Sequence, residues 1–207
     1  MRTYGVQAAA ALLLAGCSAA PPAATPPTGA AAQAAGTDRT TAPATMPLES
    51  RPTVLACADA ARDITPPSPS FLHVEGLASD GWAPQAALPD IGPVWAGGRP
   101  YRFVRAFLYL TPEAAAQTTL KVVSPADAWL YYTDFGTWTG GGNPLSAPVP
   151  HGPSKEVQVG ACPDDGAPTG YTGGILVAGP TCVTLRFTRS DTRTGRTATF
   201  RYGVRSC

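Results

Sequence analysis

The chain has 207 residues and carries 15 Lys plus Arg against 14 Asp plus Glu, a net charge of +1. So even a balance leaves no global field to recruit nucleic acid or a strongly acidic partner. All four tryptophans lie beyond Thr53, so the 155 residues from Thr53 to Cys207 are where a single core can form.

The amino end supplies a positive group at Arg2 and then an apolar run from Val6 to Ala15, interrupted only by Gln7. Leu14-Ala15-Gly16-Cys17 closes it, with two small residues directly before the cysteine. The run is far shorter than the roughly 20 residues that cross a bilayer. These features resemble the lipobox signal of bacterial lipoproteins. The resemblance implies a signal peptide over residues 1–16, cleavage after Gly16 and palmitate-type diacylglyceryl modification of the Cys17 sulfur. It places the mature chain on the extracytoplasmic face of the cell membrane. Two acyl chains hold such an anchor stably, at about 0.8 kcal/mol per buried methylene. Ordinary secretory cleavage near Ala19-Ala20 is the competing reading, and Pro21 and Pro22 fit it poorly.

Beyond Cys17, Ser18 to Pro52 is mainly Ala, Pro and Thr, with no aromatic residue and only Met46 and Leu48 as larger apolar groups. Such a stretch buries too little apolar surface to offset its ordering entropy, so residues 17–52 are expected to form a disordered spacer.

The segment from Thr53 to Cys207 balances 12 basic against 12 acidic residues and contains Cys57, Cys162, Cys182 and Cys207. An even cysteine count, without a CxxC pair or metal spacing, predicts two disulfides in an exported chain. Of the three possible pairings, Cys162–Cys182 together with Cys57–Cys207 is expected, because the second bond clamps the first strand to the chain end; the loops they close are worth roughly 3 and 5 kcal/mol.

Short alternating or apolar runs separated by Gly, Pro, Asp and Asn predict strands over Phe71–Leu77, Tyr101–Leu110, Thr118–Val123, Ala128–Thr133, Glu156–Ala161 and Gly174–Ala178. Single helical turns are expected at Ala58–Asp63 and Glu113–Gln117. Ala106–Leu110 and Ile175-Leu176-Val177 are wholly apolar and should be covered on both faces. Val183, Leu185 and Phe187, then Ala198, Phe200, Tyr202 and Val204, alternate with polar residues on either side of the turn Ser190–Gly195. That is an antiparallel hairpin with one buried face. The fold expected is all-β: seven to nine strands in a two-layer antiparallel sandwich of immunoglobulin-like topology.

Cys162, Gly173-Gly174-Ile175, Pro180-Thr181-Cys182-Val183 and Cys207 also resemble a pattern in uncharacterised envelope proteins of high-GC Gram-positive bacteria. The resemblance covers about a quarter of the chain and implies a disulfide-bonded β domain. It carries no catalytic residue.

Catalytic patterns are absent from the sequence. His73 and His151 have no Cys, Asp or second His at ligand spacing. No Gly-x-Ser-x-Gly or Ser-x-x-Lys motif occurs. Asp164-Asp165-Gly166 reads as a turn, and Gly140-Gly141-Gly142-Asn143 lacks the context of a phosphate cradle. No cofactor or metal is implied. Two surfaces are candidates for ligand contact. Trp138, with Tyr131 and Tyr132 before it, could stack on sugar rings. Arg186 and Arg201 fall on the outward side of the hairpin, within the group Arg186, Arg189, Arg193, Arg196, Arg201 and Arg205, and could meet lipid phosphate or anionic wall polymer. The function expected is a non-catalytic binding or interaction module of the cell envelope. Its partners are the membrane through the lipid, and a cell-wall glycan or another envelope protein. A cell-wall-associated enzyme and an accessory subunit of a transport or secretion complex remain alternatives.

Overall fold

Period-two alternation builds two antiparallel sheets that pack face to face as a sandwich. The computed structural model describes residues 45–61, 64–65, 67–88, 93–111, 117–134, 151–162, 168–192 and 195–207. These contain β1 (Thr53–Val54), β2 (Leu72–Val74), β3 (Leu77–Ser79), β4 (Pro93–Ala96), β5 (Arg99–Arg105), β6 (Leu108–Leu110), β7 (Thr118–Ser124), β8 (Trp129–Thr133), β9 (Glu156–Val159), β10 (Thr169–Val177), β11 (Thr181–Arg189) and β12 (Gly195–Tyr202). Twelve strands replace the expected seven to nine. The difference is in short pieces: Glu75-Gly76 turns the run Phe71–Leu77 into the hairpin β2–β3, with Glu75 at φ 51° and Gly76 at φ 79°. Of the two expected helical turns, a 3-10 turn forms over Cys57–Asp59, and residues 112–116 lie outside the described set.

One sheet has the order β1-β9-β7-β11-β12, and its β1–β9 pair is parallel. The other runs β2-β3-β6-β10-β5-β4, with β8 on the second edge of β10. The strand β10 has β5 and β6 along one edge in a continuous register and β8 along the other. It is buried along its whole length, with Tyr171, Ile175 and Val177 in the inter-sheet core and Leu176 in an apolar cluster on the opposite face. The apolar run Ile175–Val177 thus sits at the centre of its sheet, as its composition requires.

Val183, Leu185 and Phe187 of β11 face Phe200 and Tyr202 of β12 on the inner side, and all five are buried. They meet Val104, Leu108 and Leu110 of the other sheet in a continuous core. Trp82, in the turn after β3, is 1% exposed and stands between the layers. Its ring meets Phe187 edge-on at 5.1 Å and stacks on Phe200 at 5.3 Å. A second cluster, Val94, Ala96, Tyr101, Phe103, Tyr131 and Leu176, with Met46, Leu48 and Trp129 packed against it, covers part of the outer face of the larger sheet.

Met46 and Leu48 belong to the stretch whose composition reads as spacer, and there the expectation needs correcting. The Met46 N–H donates to the Trp95 carbonyl at 2.9 Å, and the Gly97 N–H donates to the Met46 carbonyl at 2.9 Å. The Glu49 N–H donates to the Pro153 carbonyl at 2.8 Å. Residues 45–48 therefore dock along the β4 edge, and Glu49 pairs with the segment leading into β9. Two apolar side chains in a polar stretch suffice when an exposed strand edge supplies the backbone partners.

The disulfide pairing also differs from the expectation. The bonds are Cys57–Cys162 and Cys182–Cys207, with Cα separations of 5.5 and 5.8 Å. Strand adjacency decides this, not loop length. Because β1 runs parallel to β9 with Val54 opposite Gln158, Cys57 and Cys162 leave the pair side by side. Cys182 lies opposite Arg201 at the end of the hairpin, where the chain turns back to bring up Cys207.

Burial raises the hydroxyl pKa of Tyr131, Tyr132, Tyr171 and Tyr202 above the ordinary value of 10.0. Tyr132 donates to the Ala106 carbonyl at 2.8 Å and Tyr171 to the Gly160 carbonyl at 2.7 Å. The folded chain keeps these protons where the unfolded chain releases them. Their contribution to stability is therefore intact below pH 10 and declines as pH rises past it. Absorbance titration is expected to show these phenols ionising late and together with unfolding; independent titration near pH 10 in a folded chain would contradict it.

Candidate functional site

The structure separates the two predicted ligand surfaces. Tyr131 and Tyr132 are not at the surface: they are 0% and 2% exposed. Successive strand residues point to opposite faces, and β8 is covered on both, Tyr132 by the inter-sheet core and Tyr131 by the second cluster. Trp138 lies outside the described residues, as do Gly140–Asn143, Asp164–Gly166 and Cys17, the residue expected to carry the lipid. Trp129 is half-buried beneath the Lys155 ammonium, which sits 3.7 Å from its ring centroid and donates to the Ala126 and Ala128 carbonyls. That arrangement ties down the turn between β7 and β8. Both histidines are exposed, His73 on β2 and His151 in a bend. Among the described residues no group of three or more His, Cys, Asp or Glu side chains could hold a metal ion.

The arginines divide by partner. Arg189 is held by Asp191 in a two-pronged ion pair at 2.6 and 3.0 Å. Arg196 lies 4.0 Å from Glu75, and Arg193 is outside the described set. Arg186 is exposed on the outer face of β11, opposite Thr197 and beside Lys121, which itself pairs with Glu156 at 3.3 Å. Arg201 shares that face but sits opposite Cys182, four residues along β11 from Arg186, roughly 13 Å at strand rise. The structure does not bring Arg186 and Arg201 together.

It brings Arg201 and Arg205 together instead. Gly203, at φ 68°, takes a left-handed turn at the end of β12 and folds the chain back. The Arg201 Nη1 then donates to the Arg205 carbonyl at 2.6 Å. The Cys182–Cys207 bond secures the returning segment from the other side. The loop after Trp82 supplies the opposite wall. The Gln85 N–H donates to the Arg201 carbonyl at 3.1 Å and the Gly203 N–H to the Gln85 carbonyl at 2.9 Å. The buried Tyr202 hydroxyl donates to the Gly81 carbonyl at 3.2 Å, fixing the same loop.

The result is a cleft of about 440 Å³ lined by Pro84, Gln85, Ala86, Arg201, Val204 and Arg205. Two guanidinium groups border it, and among the described residues neither Arg201 nor Arg205 forms an ion pair with a carboxylate. A guanidinium offers a planar fork of donors that fits carboxylate or phosphate oxygens. A concave site with two such forks and one amide side chain can bind an anion and offers no nucleophile–base pair. Arg201 stands out in the sequence by its alternation, but nothing there marks Gln85. Arg205 becomes legible only once Cys207 is known to pair with Cys182. No protein-family model, curated protein or solved structure matches the chain.

Proposed function

We propose that the chain is a lipid-anchored, extracytoplasmic module of the cell envelope that binds its ligand without transforming it, and that its C-terminal cleft takes a phosphodiester anion. The observation that carries this reading is the cleft with Arg201 and Arg205 at its border, built on a disulfide-secured strand end. The leader and Cys17 supply the membrane attachment. The two disulfides suit an oxidising compartment outside the cytosol. Phosphodiesters reach such a site either as anionic lipid headgroups or as wall polymer.

The test uses the chain starting at Ser18, which has no leader and no lipid. It is titrated with soluble poly(glycerol phosphate) and with phosphatidylglycerol vesicles, phosphatidylcholine vesicles serving as the neutral reference. Binding to at least one phosphate probe is expected, weakening as salt rises. Arg201→Gln with Arg205→Gln should weaken it about tenfold or more, because charge-assisted hydrogen bonds are lost. Arg186→Gln, outside the cleft, should change it far less. Binding to vesicles alone assigns the headgroup as the source, and binding to the polymer alone assigns the wall. No binding to either, or binding that the double variant retains, refutes the reading.

A further inference from the structure

The sequence Tyr101–Leu110 places two side-chain sets on opposite faces of one chain path. Val104, Ala106, Leu108 and Leu110 enter the inter-sheet core. Tyr101, Phe103, Arg105, Phe107 and Tyr109 therefore line up on the other face, and the register with β10 runs unbroken from Val177 to Thr169. Met46, Leu48 and Trp129 pack against the Tyr101–Phe103 end of this ladder. At the other end Tyr109 remains partly exposed and Arg105 exposed.

That second end leaves two rings, Phe71 and Tyr109, partly exposed over the buried Phe107. Phe71 lies 5.6 Å from Tyr109 with the planes inclined at 49°, and Phe107 lies 4.6 Å away at 50°. Gly170 is opposite Tyr109, and a methyl group there would run into Phe107 and Ile64, so glycine lets the Phe107 ring lie close to the sheet. Ala78, also small, separates Tyr109 from the exposed His73 in the adjacent strands. Polar groups border the rings. Asp80 Oδ1 accepts the Phe107 N–H at 3.1 Å. Asp80 and Arg105 both act electrostatically on the Tyr109 hydroxyl, in opposite directions.

We propose that the partly exposed rings of Phe71 and Tyr109, backed by the buried Phe107 and with Asp80, Arg105 and His73 around them, form a binding platform for a pyranose ring of an envelope glycan. Flat aromatic faces take the apolar face of a sugar, while a carboxylate and a guanidinium take its hydroxyls. This site does not rest on the arginine cleft, and the two fail independently.

The experiment measures retention of the full chain, in nonionic detergent, on two insoluble pyranose polymers, chitin and cellulose. Retention on at least one is expected, with Phe71→Ala and Tyr109→Ala each reducing it about fivefold, as loss of a ring contact would. Asp80→Asn keeps the acceptor for the Phe107 N–H and should also weaken retention. Phe71 lies in a turn ahead of β2, so Phe71→Ala should melt close to wild type and carries the test if Tyr109→Ala unfolds. Arg201→Gln with Arg205→Gln should leave retention unchanged. Absence of retention on both polymers, or retention that Phe71→Ala leaves intact, overturns the proposal. Self-association abolished by Phe71→Ala, without polymer retention, also overturns it and makes the platform a contact between copies.

Discussion

Trp82→Ala is expected to cost about 3–5 kcal/mol of folding stability, the range for emptying a large aromatic site in a packed core. The ring is 1% exposed, and it bridges Phe187 and Phe200, which belong to adjacent strands. Collapse onto the void is restricted because both sheets hold their backbones in register. A domain of this size has about 5–15 kcal/mol in total, so the loss is a large fraction of it and lowers Tm by roughly 6–20 °C. Trp82→Phe separates packing from polarity. Among the described residues the indole Nε1 is buried without a hydrogen-bond partner, so phenylalanine removes an unsatisfied donor while keeping most of the ring. Its cost should be about 1.5 kcal/mol or less. Urea unfolding of both variants decides the point: a Trp82→Ala cost under about 1 kcal/mol would mean the ring does not join the layers. Because the same turn leads into Gln85, Trp82→Ala should also weaken the phosphate binding proposed for the cleft.

Removing the Cys57–Cys162 bond is the second large perturbation. Its sequence separation is 105 residues, and closing so long a loop is worth about 4.8 kcal/mol on the chain-entropy scale. Beside it, β1 pairs with β9 over only two residues, Thr53 with Val157 and Val54 with Gln158. A two-residue parallel edge cannot hold itself, so Cys57→Ser with Cys162→Ser should free β1 before the rest unfolds. Hydrogen exchange is expected to show lost protection at the Leu55 N–H, which donates to the Gln158 carbonyl at 3.0 Å, with the β11–β12 hairpin still protected. Chemical unfolding should register about 3–5 kcal/mol of lost stability. A loss under about 1 kcal/mol, with β1 still protected, would show that the strand is held without the bond.

The legible parts of the fold were those written in alternation. Val183, Leu185 and Phe187 opposite Phe200 and Tyr202 announce their hairpin because each polar–apolar step is a change of face. Ile175–Val177 announces a central strand because only a strand covered on both faces tolerates an unbroken apolar run. What alternation cannot supply is which strands are neighbours, and both cysteine bonds depend on that. The entropy of loop closure ranks possible pairings but ignores the parallel β1–β9 contact that sets Cys57 beside Cys162. Composition likewise averages over the spacer and misses Met46 and Leu48, whose partners lie on a distant strand edge. The candidate site was half legible. Arg201 is visibly outward, but Arg205 and Gln85 join it through a left-handed turn and a loop crossing that no local pattern encodes. Tyr131 and Tyr132 look like surface aromatics near a polar loop, and covering layers from distant segments bury them both.

The proposed function requires a chain processed at Cys17, anchored by lipid and oxidised outside the cytosol. Intact and peptide mass spectrometry of the native protein, extracted from membranes under non-reducing conditions, tests this in one measurement. The expected species begins at Cys17 with a diacylglyceryl group and carries Cys57 linked to Cys162 and Cys182 linked to Cys207. A chain with an uncleaved leader and four free thiols would contradict it.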